Sequence, residues 1–207
     1  QLFVPISLEL LCFMLAGMID TMMLSAVNND AVGAVGTANT YIGMFIIMFS
    51  VITSGMTAVM TQYIGAGREG VAHRARQIGL AFNLAIGLIL ACVLFFGAEV
   101  ILETMGIAPL LKEYAKTYLQ IVGGACVLNA MIPLFSNYLR AFGHTKAPMV
   151  GTIAANIVNL VLNAVFLFGF KWGVAGVAWA TVISRVVNLS IVVIASKKYV
   201  QVKESEE

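Results

Sequence analysis

Residues 78–98 read IGLAFNLAIGLILACVLFFGA, a stretch that holds no Asp, Glu, Lys or Arg and long enough to cross about 30 Å of hydrocarbon as a helix. Nothing in it alternates with period two, so it is not a barrel strand. A helix satisfies its backbone polar groups internally and is the form such a run takes in lipid. Around it lie five more runs of the same kind: Leu2–Val27, Val32–Tyr63, Tyr118–Leu139, Pro148–Phe170 and Trp172–Ser196. The fold class is therefore an all-α integral membrane protein, a bundle of six transmembrane helices.

The 207-residue chain is 60% hydrophobic and only 11% charged, outside the range of soluble globular proteins. Cys12, Cys92 and Cys126 all fall inside apolar segments, and their odd number argues for packing as small hydrophobes rather than disulfides. The first run lacks a basic n-region and a cleavage site, so it reads as a retained helix, and with Gln1 in first place the natural start is expected upstream. Residues 1–196 form the membrane lobe, and 197–207 read as a polar cytoplasmic tail or linker stub.

Short loops set the orientation. Arg68, Arg74, Arg76, Arg140, Lys146, Lys197, Lys198 and Lys203 fall on one side, against Lys112, Lys116 and Lys171 on the other. The positive-inside rule puts both termini in the cytoplasm of a multi-pass protein of the cell membrane. The second segment exceeds the bilayer and is expected to tilt or project from it. The outer connection Glu99–Lys116 is expected to carry an interfacial helix near Leu110–Lys116. The ends of segments two and four, Gln62-Tyr-Ile-Gly-Ala-Gly-Arg68 and Arg140-Ala-Phe-Gly-His-Thr-Lys-Ala-Pro148, echo each other as glycine-terminated helices with snorkelling cations.

Within the apolar segments three charges stand out: Glu9, Asp20 and Arg185. An intramembrane acid costs roughly 2.5–3.5 kcal/mol on the insertion scale and marks a functional position by default. Asp20 lies about 10 Å below the outer end of the first helix, and Asn163, Asn159 and Thr181 fall at matching depth on helices five and six. Asn156, Asn159 and Asn163 form one polar stripe, which should face the bundle. Carboxylate, amide and hydroxyl oxygens suit a hard cation such as Na⁺, and a carboxyl taken out of water can instead carry H⁺. Asn156 by itself reads as interhelical glue. Pro5 can act as a helix hinge or sit in the first turn, and the shared inner depth of Glu9 and Arg185 allows a buried ion pair. Methionines at helical spacing (Met14, Met18 and Met22, then Met44, Met48, Met56 and Met60) fit a promiscuous apolar pocket or ordinary packing.

Pro5 with Glu9, Gly17-Met-Ile-Asp20-Thr, the two glycine-closed helix ends, Asn159-Leu-Val-Leu-Asn163, Phe168-Gly169 and Gly176-Val-Ala-Trp-Ala-Thr181 together resemble the multidrug and toxic compound extrusion (MATE) transporters, over nearly the whole chain. The resemblance implies an H⁺- or Na⁺-coupled antiporter that exports amphipathic, often cationic organic compounds. It implies a cation site at Asp20, Asn159, Asn163 and Thr181, and a bend at Pro5. Two departures qualify it. Some members carry a second acid where this chain has Asn163, and the family has twelve helices in two lobes where this chain has six. The chain is either an excised amino-terminal lobe or a half-length member, and a parallel C₂ homodimer would restore two lobes.

Alternatives are a lipid-linked saccharide flippase, which would want cationic residues such as Arg185 in its cavity, and a non-transporting lobe or interaction module. An enzyme is not expected: no nucleophile and base pair, metal cluster or phosphate loop is present, and His73 and His144 fall in loops. No cofactor and no nucleic-acid partner are expected.

Overall fold

The computed structural model describes residues 3–199, which form helices α1 (Phe3–Ser25), α2 (Asn29–Gly65), α3 (Glu69–Phe96), α4 (Ala98–Thr104), α5 (Pro109–Gly124), α6 (Cys126–Ala141), α7 (Lys146–Ala164) and α8 (Val174–Tyr199). Among these residues five helices are long and apolar enough to span a membrane, and six if α5 and α6 count as one bent span.

The fourth apolar run is the place where the sequence reading needs correction. Tyr118–Leu139 is not one straight helix but the junction of α5 and α6, which meet at 42°. Hydropathy runs unbroken through Gly123, Gly124 and Ala125, whereas the backbone does not. A Cβ on Gly123 would lie 2.9 Å from Leu94 Cβ, so glycine lets α5 press onto α3 just where the chain bends. The Leu110–Lys116 stretch is accordingly the first half of α5. The separate short helix of that connection is α4, tied to α5 by Lys112–Glu103 at 2.7 Å and Lys116–Glu99 at 3.4 Å.

Elsewhere the ends follow local chemistry. Asn28 caps α2, its side chain accepting from the Asp30 N–H at 2.9 Å. The 37 residues of α2 span about 55 Å, longer than a bilayer is thick. The echo between segments two and four is one capping motif used twice. Gly67 (φ 76°) and Gly143 (φ 83°) take the left-handed region, and the next N–H of each returns to a carbonyl five residues back, Arg68 to Tyr63 and His144 to Leu139. Because α3 already begins at Glu69, His73, Arg74 and Arg76 are helical rather than in a loop. Likewise α8 runs through Lys197 and Lys198 to Tyr199, and residues 200–207, the rest of the expected polar tail, lie outside the described part.

The bundle centres on α8, which packs against α7, α6 and α5, while α2, α3 and α5 share an apolar core around Ile42, Leu94, Leu119 and Val122. α1 rests mainly on α7 and leaves Met14, Met18 and Met22 more than 60% exposed. α1 is unbroken from Phe3 to Ser25, with Pro5 in its first described turn, so no hinge shows there in this conformation. The basic end is clamped by Arg76, whose guanidinium lies 4.6 Å over the Tyr138 ring and donates to Ser196 Oγ at 3.1 Å, linking α3, α6 and α8.

Candidate functional site

α7 turns its asparagine stripe onto α1. Asn156 Nδ2 donates to the Cys12 carbonyl at 2.8 Å, an interhelical bond that pins the two backbones. One to two turns further along, Asn163 Nδ2 donates to Asp20 Oδ1 and to Asn159 Oδ1, the latter at 2.7 Å, and Asn159 also lies against the carboxylate. Asn163 is fully buried and Asp20 half-buried. The periodicity explains the alignment: residues three and four apart share a helix face, and the apolar remainder of α7 would leave these amides unpaired in lipid.

Donors and acceptors do not balance. Asn163 Oδ1 is buried with no hydrogen-bond partner. An ionised carboxylate has no proton to give it. A proton on Asp20, or a small hard cation, would satisfy this buried acceptor beside an acid, so these residues fit the ion that the oxygen set suggests. No group of three or more His, Cys, Asp or Glu is gathered for a transition metal among the described residues.

Thr181 stands apart from the other three. Its hydroxyl donates to the Val177 carbonyl on its own helix at 2.9 Å and lies near the Tyr118 phenol, not in bonding contact with Asp20. Position along a helix says nothing of direction around it, and Thr181 turns its hydroxyl to its own backbone.

Glu9 does not meet Arg185, the ion pair that their inner depth allowed. Glu9 pairs with Arg140 and accepts from Thr152 Oγ1 at 3.4 Å. Arg140 lies about 21 Å along α6 from Cys126, whose charge Arg185 feels, so Glu9 and Arg185 sit at different levels of the bundle. The Arg185 guanidinium instead sits in the field of Tyr118, Asp20 and Cys126, with Nη1 buried and unpartnered. Tyr118 in turn donates to Asn39 Oδ1 at 3.0 Å. Tyr118 and Asn39 were not singled out from sequence, and Arg140 was read only as a snorkelling cation at a helix end. A tyrosine in an apolar run is easily counted as hydrophobic, though its hydroxyl needs a partner when buried.

Beside Asp20 a cavity of about 230 Å³ opens between α1 and α7, walled by Leu15, Ile19, Ile153, Ile157 and Leu160 with Asp20 and Asn159 at its edge. It is almost wholly apolar, with one carboxylate, a combination that suits an amphipathic guest.

An α-helical membrane lobe with one carboxylate set among amides beside an apolar cavity defines a membrane-transport type of protein, and known sequences bear this out. The MatE family model matches residues 5–165, and the chain belongs to that family. It is 37% identical over 205 residues to the "Uncharacterized transporter YisQ" of Bacillus subtilis, covering 97% of this chain and 45% of that protein. It is 27% identical to the "Probable multidrug resistance protein NorM" of Thermotoga maritima, covering 86% of this chain and 39% of that one. The fold matches an outward-facing multidrug resistance MATE family transporter with a TM-score of 0.86 at 20% identity, over 95% of this chain and 43% of the other. The chain thus spans less than half the length of these relatives. It is a multi-pass membrane protein of a transporter family and not an enzyme.

Proposed function

We propose that the chain is one lobe of a cation-coupled exporter of amphipathic organic compounds. Asp20 is its coupling group, and H⁺ or Na⁺ is held there with Asn159 and Asn163. The observation that carries this reading is the Asp20–Asn163–Asn159 set, with its orphaned buried acceptor, at the edge of an apolar cavity. Binding a cation satisfies the acceptor and neutralises the acid, which changes what the cavity offers to a cationic guest. Ion and guest then exclude each other by charge, which is the requirement for antiport.

Two such lobes make the working unit, with both termini in the cytoplasm and a second copy related by a two-fold axis along the membrane normal. The exposed methionine face of α1 supports this arrangement. Thr181 lies at the right depth to join the site if α8 turns slightly, and Pro5 can bend α1 in another conformation.

The test is ethidium efflux from proteoliposomes under an imposed pH or Na⁺ gradient. Wild type should move dye only with a gradient, and Asp20→Asn should fall to the level of empty liposomes while remaining folded. Gradient-driven flux that survives Asp20→Asn refutes the coupling role. A folded wild type that moves no dye would favour a non-transporting lobe.

A further inference from the structure

Arg185 is the basic residue at mid-span in this lobe, about 17 Å from one end of α8 and about 21 Å from the other. Among the described residues no carboxylate lies within salt-bridge distance of it, and Nη1 is buried without a hydrogen-bond partner. A guanidinium offers five N–H donors in a planar fork, has no acceptor and cannot shed its charge. Such a group at this depth is costly unless something negative reaches it. The exporter reading above gives it no task, since a fixed positive charge repels a cationic guest.

The groups whose charge it feels come from three helices: Tyr118 on α5, Asp20 on α1 and Cys126 on α6. α7 contributes only amides at that level. Glu9 and Arg140 neutralise each other toward the basic end, and the remaining charges on the packed helices lie away from mid-span: Lys112, Glu113 and Lys116 in the first half of α5, Lys146 at the start of α7, and Lys197 and Lys198 in the last turn of α8. The Tyr118 hydroxyl is spoken for by Asn39, and the Cys126 thiol points to the Gly87 carbonyl at 3.4 Å. Asp20 is therefore the sole full negative charge opposing Arg185 at this depth among the described residues. With Asp20 ionised, the core of the lobe is neutral overall. Once Asp20 takes up H⁺ or Na⁺, the core carries one uncompensated positive charge.

We propose that Arg185 anchors a second subsite that takes the carboxylate group of an amphipathic organic acid, and that a cation on Asp20 switches this subsite on. The inference rests on Asp20 being the cation site. It differs from the exporter reading in the charge of the guest and in the sign of coupling: cation and organic anion bind together rather than in exclusion. Organic cations and organic acids would then load the lobe in opposite states of Asp20.

The experiment uses the purified chain in lipid nanodiscs, with binding measured by calorimetry against empty nanodiscs. The probes are 2-naphthoate, 2-naphthamide, 2-naphthylmethylammonium and 2-naphthyl phosphate. Wild type should bind 2-naphthoate at least about tenfold tighter than the amide, the scale of one hydrogen-bonded charge contact. That preference should appear in acidic buffer or with Na⁺ and fade in mildly alkaline, Na⁺-free buffer. Arg185→Gln should abolish it, and Arg185→Lys should keep part of it. Asp20→Asn, neutral at every pH, should bind 2-naphthoate tightly under all conditions. If Arg185→Gln fails to fold, the Lys and Asp20→Asn variants decide. Equal binding of naphthoate and amide by wild type overturns the proposal, as does naphthoate binding that Arg185→Gln leaves intact or that stays pH-dependent in Asp20→Asn. Tighter binding of the phosphate ester than of naphthoate overturns the carboxylate assignment. Dye efflux is read with a cationic guest, so loss of one result leaves the other standing.

Discussion

The Glu9–Arg140 pair gives a measurable coupling that Glu9 and Arg185 should lack. Both side chains are 23% exposed, so the pair is neither a surface contact nor a fully dry one. Exposed pairs are worth roughly 0.2–1 kcal/mol, and removing one partner of a buried pair costs roughly 3–5 kcal/mol. The geometry here lies between, and Thr152 adds a second donor to the carboxylate. A double-mutant cycle with Glu9→Gln and Arg140→Gln should therefore return a coupling of about 1–2 kcal/mol. The cycle with Glu9→Gln and Arg185→Gln should return about zero, because charges well separated along the membrane normal share no partner. Equilibrium unfolding in mixed micelles by SDS titration, followed by far-UV circular dichroism, supplies the four corners of each cycle. A Glu9–Arg140 coupling indistinguishable from zero, or a Glu9–Arg185 coupling as large, would refute both the pairing and the depth argument behind it. The swap Glu9→Arg with Arg140→Glu should recover part of what either reversal alone loses.

Close helix approach makes a second prediction: a Cβ at Gly87 would meet the Val127 backbone at 3.0 Å, so Gly87→Val should destabilise by about 1–3 kcal/mol in the same titration. Gly36→Ala, with open space around it, should change stability little. At the opposite end from the arginines, the Lys112 hydrogen bond and then its charge hold the Glu103 carboxyl below its ordinary value of 4.5. A lowered folded value means the contact contributes above pH 4.5 and is lost as pH falls through the folded value. Lys112→Gln should move the Glu103 carboxyl titration, read by carbon-13 NMR, back up toward 4.5, and an unmoved titration would contradict the pairing.

How much of the site could be read in advance is clearest at Asn159 and Asn163. Their spacing put them on one face of a helix, and lipid left that face nowhere to go but inward, onto the acid of α1. Thr181, expected at the same depth, does not share the contact, because position along a helix is a single coordinate and bonding needs three. The α5–α6 bend escaped for a related reason: apolar runs report what surrounds a segment, not whether its backbone is straight.

Sequence by itself determined that this chain is a bundle of membrane helices, that Asp20 is the costly group among them, and that the chain resembles half of a two-lobed transporter. These follow from transfer free energy and helical period, which act residue by residue. Only the tertiary structure decided who meets whom: Glu9 with Arg140, Asn163 with Asp20, and Arg185 facing Tyr118 and Asp20 with a donor left over. Those partnerships depend on how helices rotate and pack about one another, a property of side chains on several segments at once that no single stretch of sequence contains.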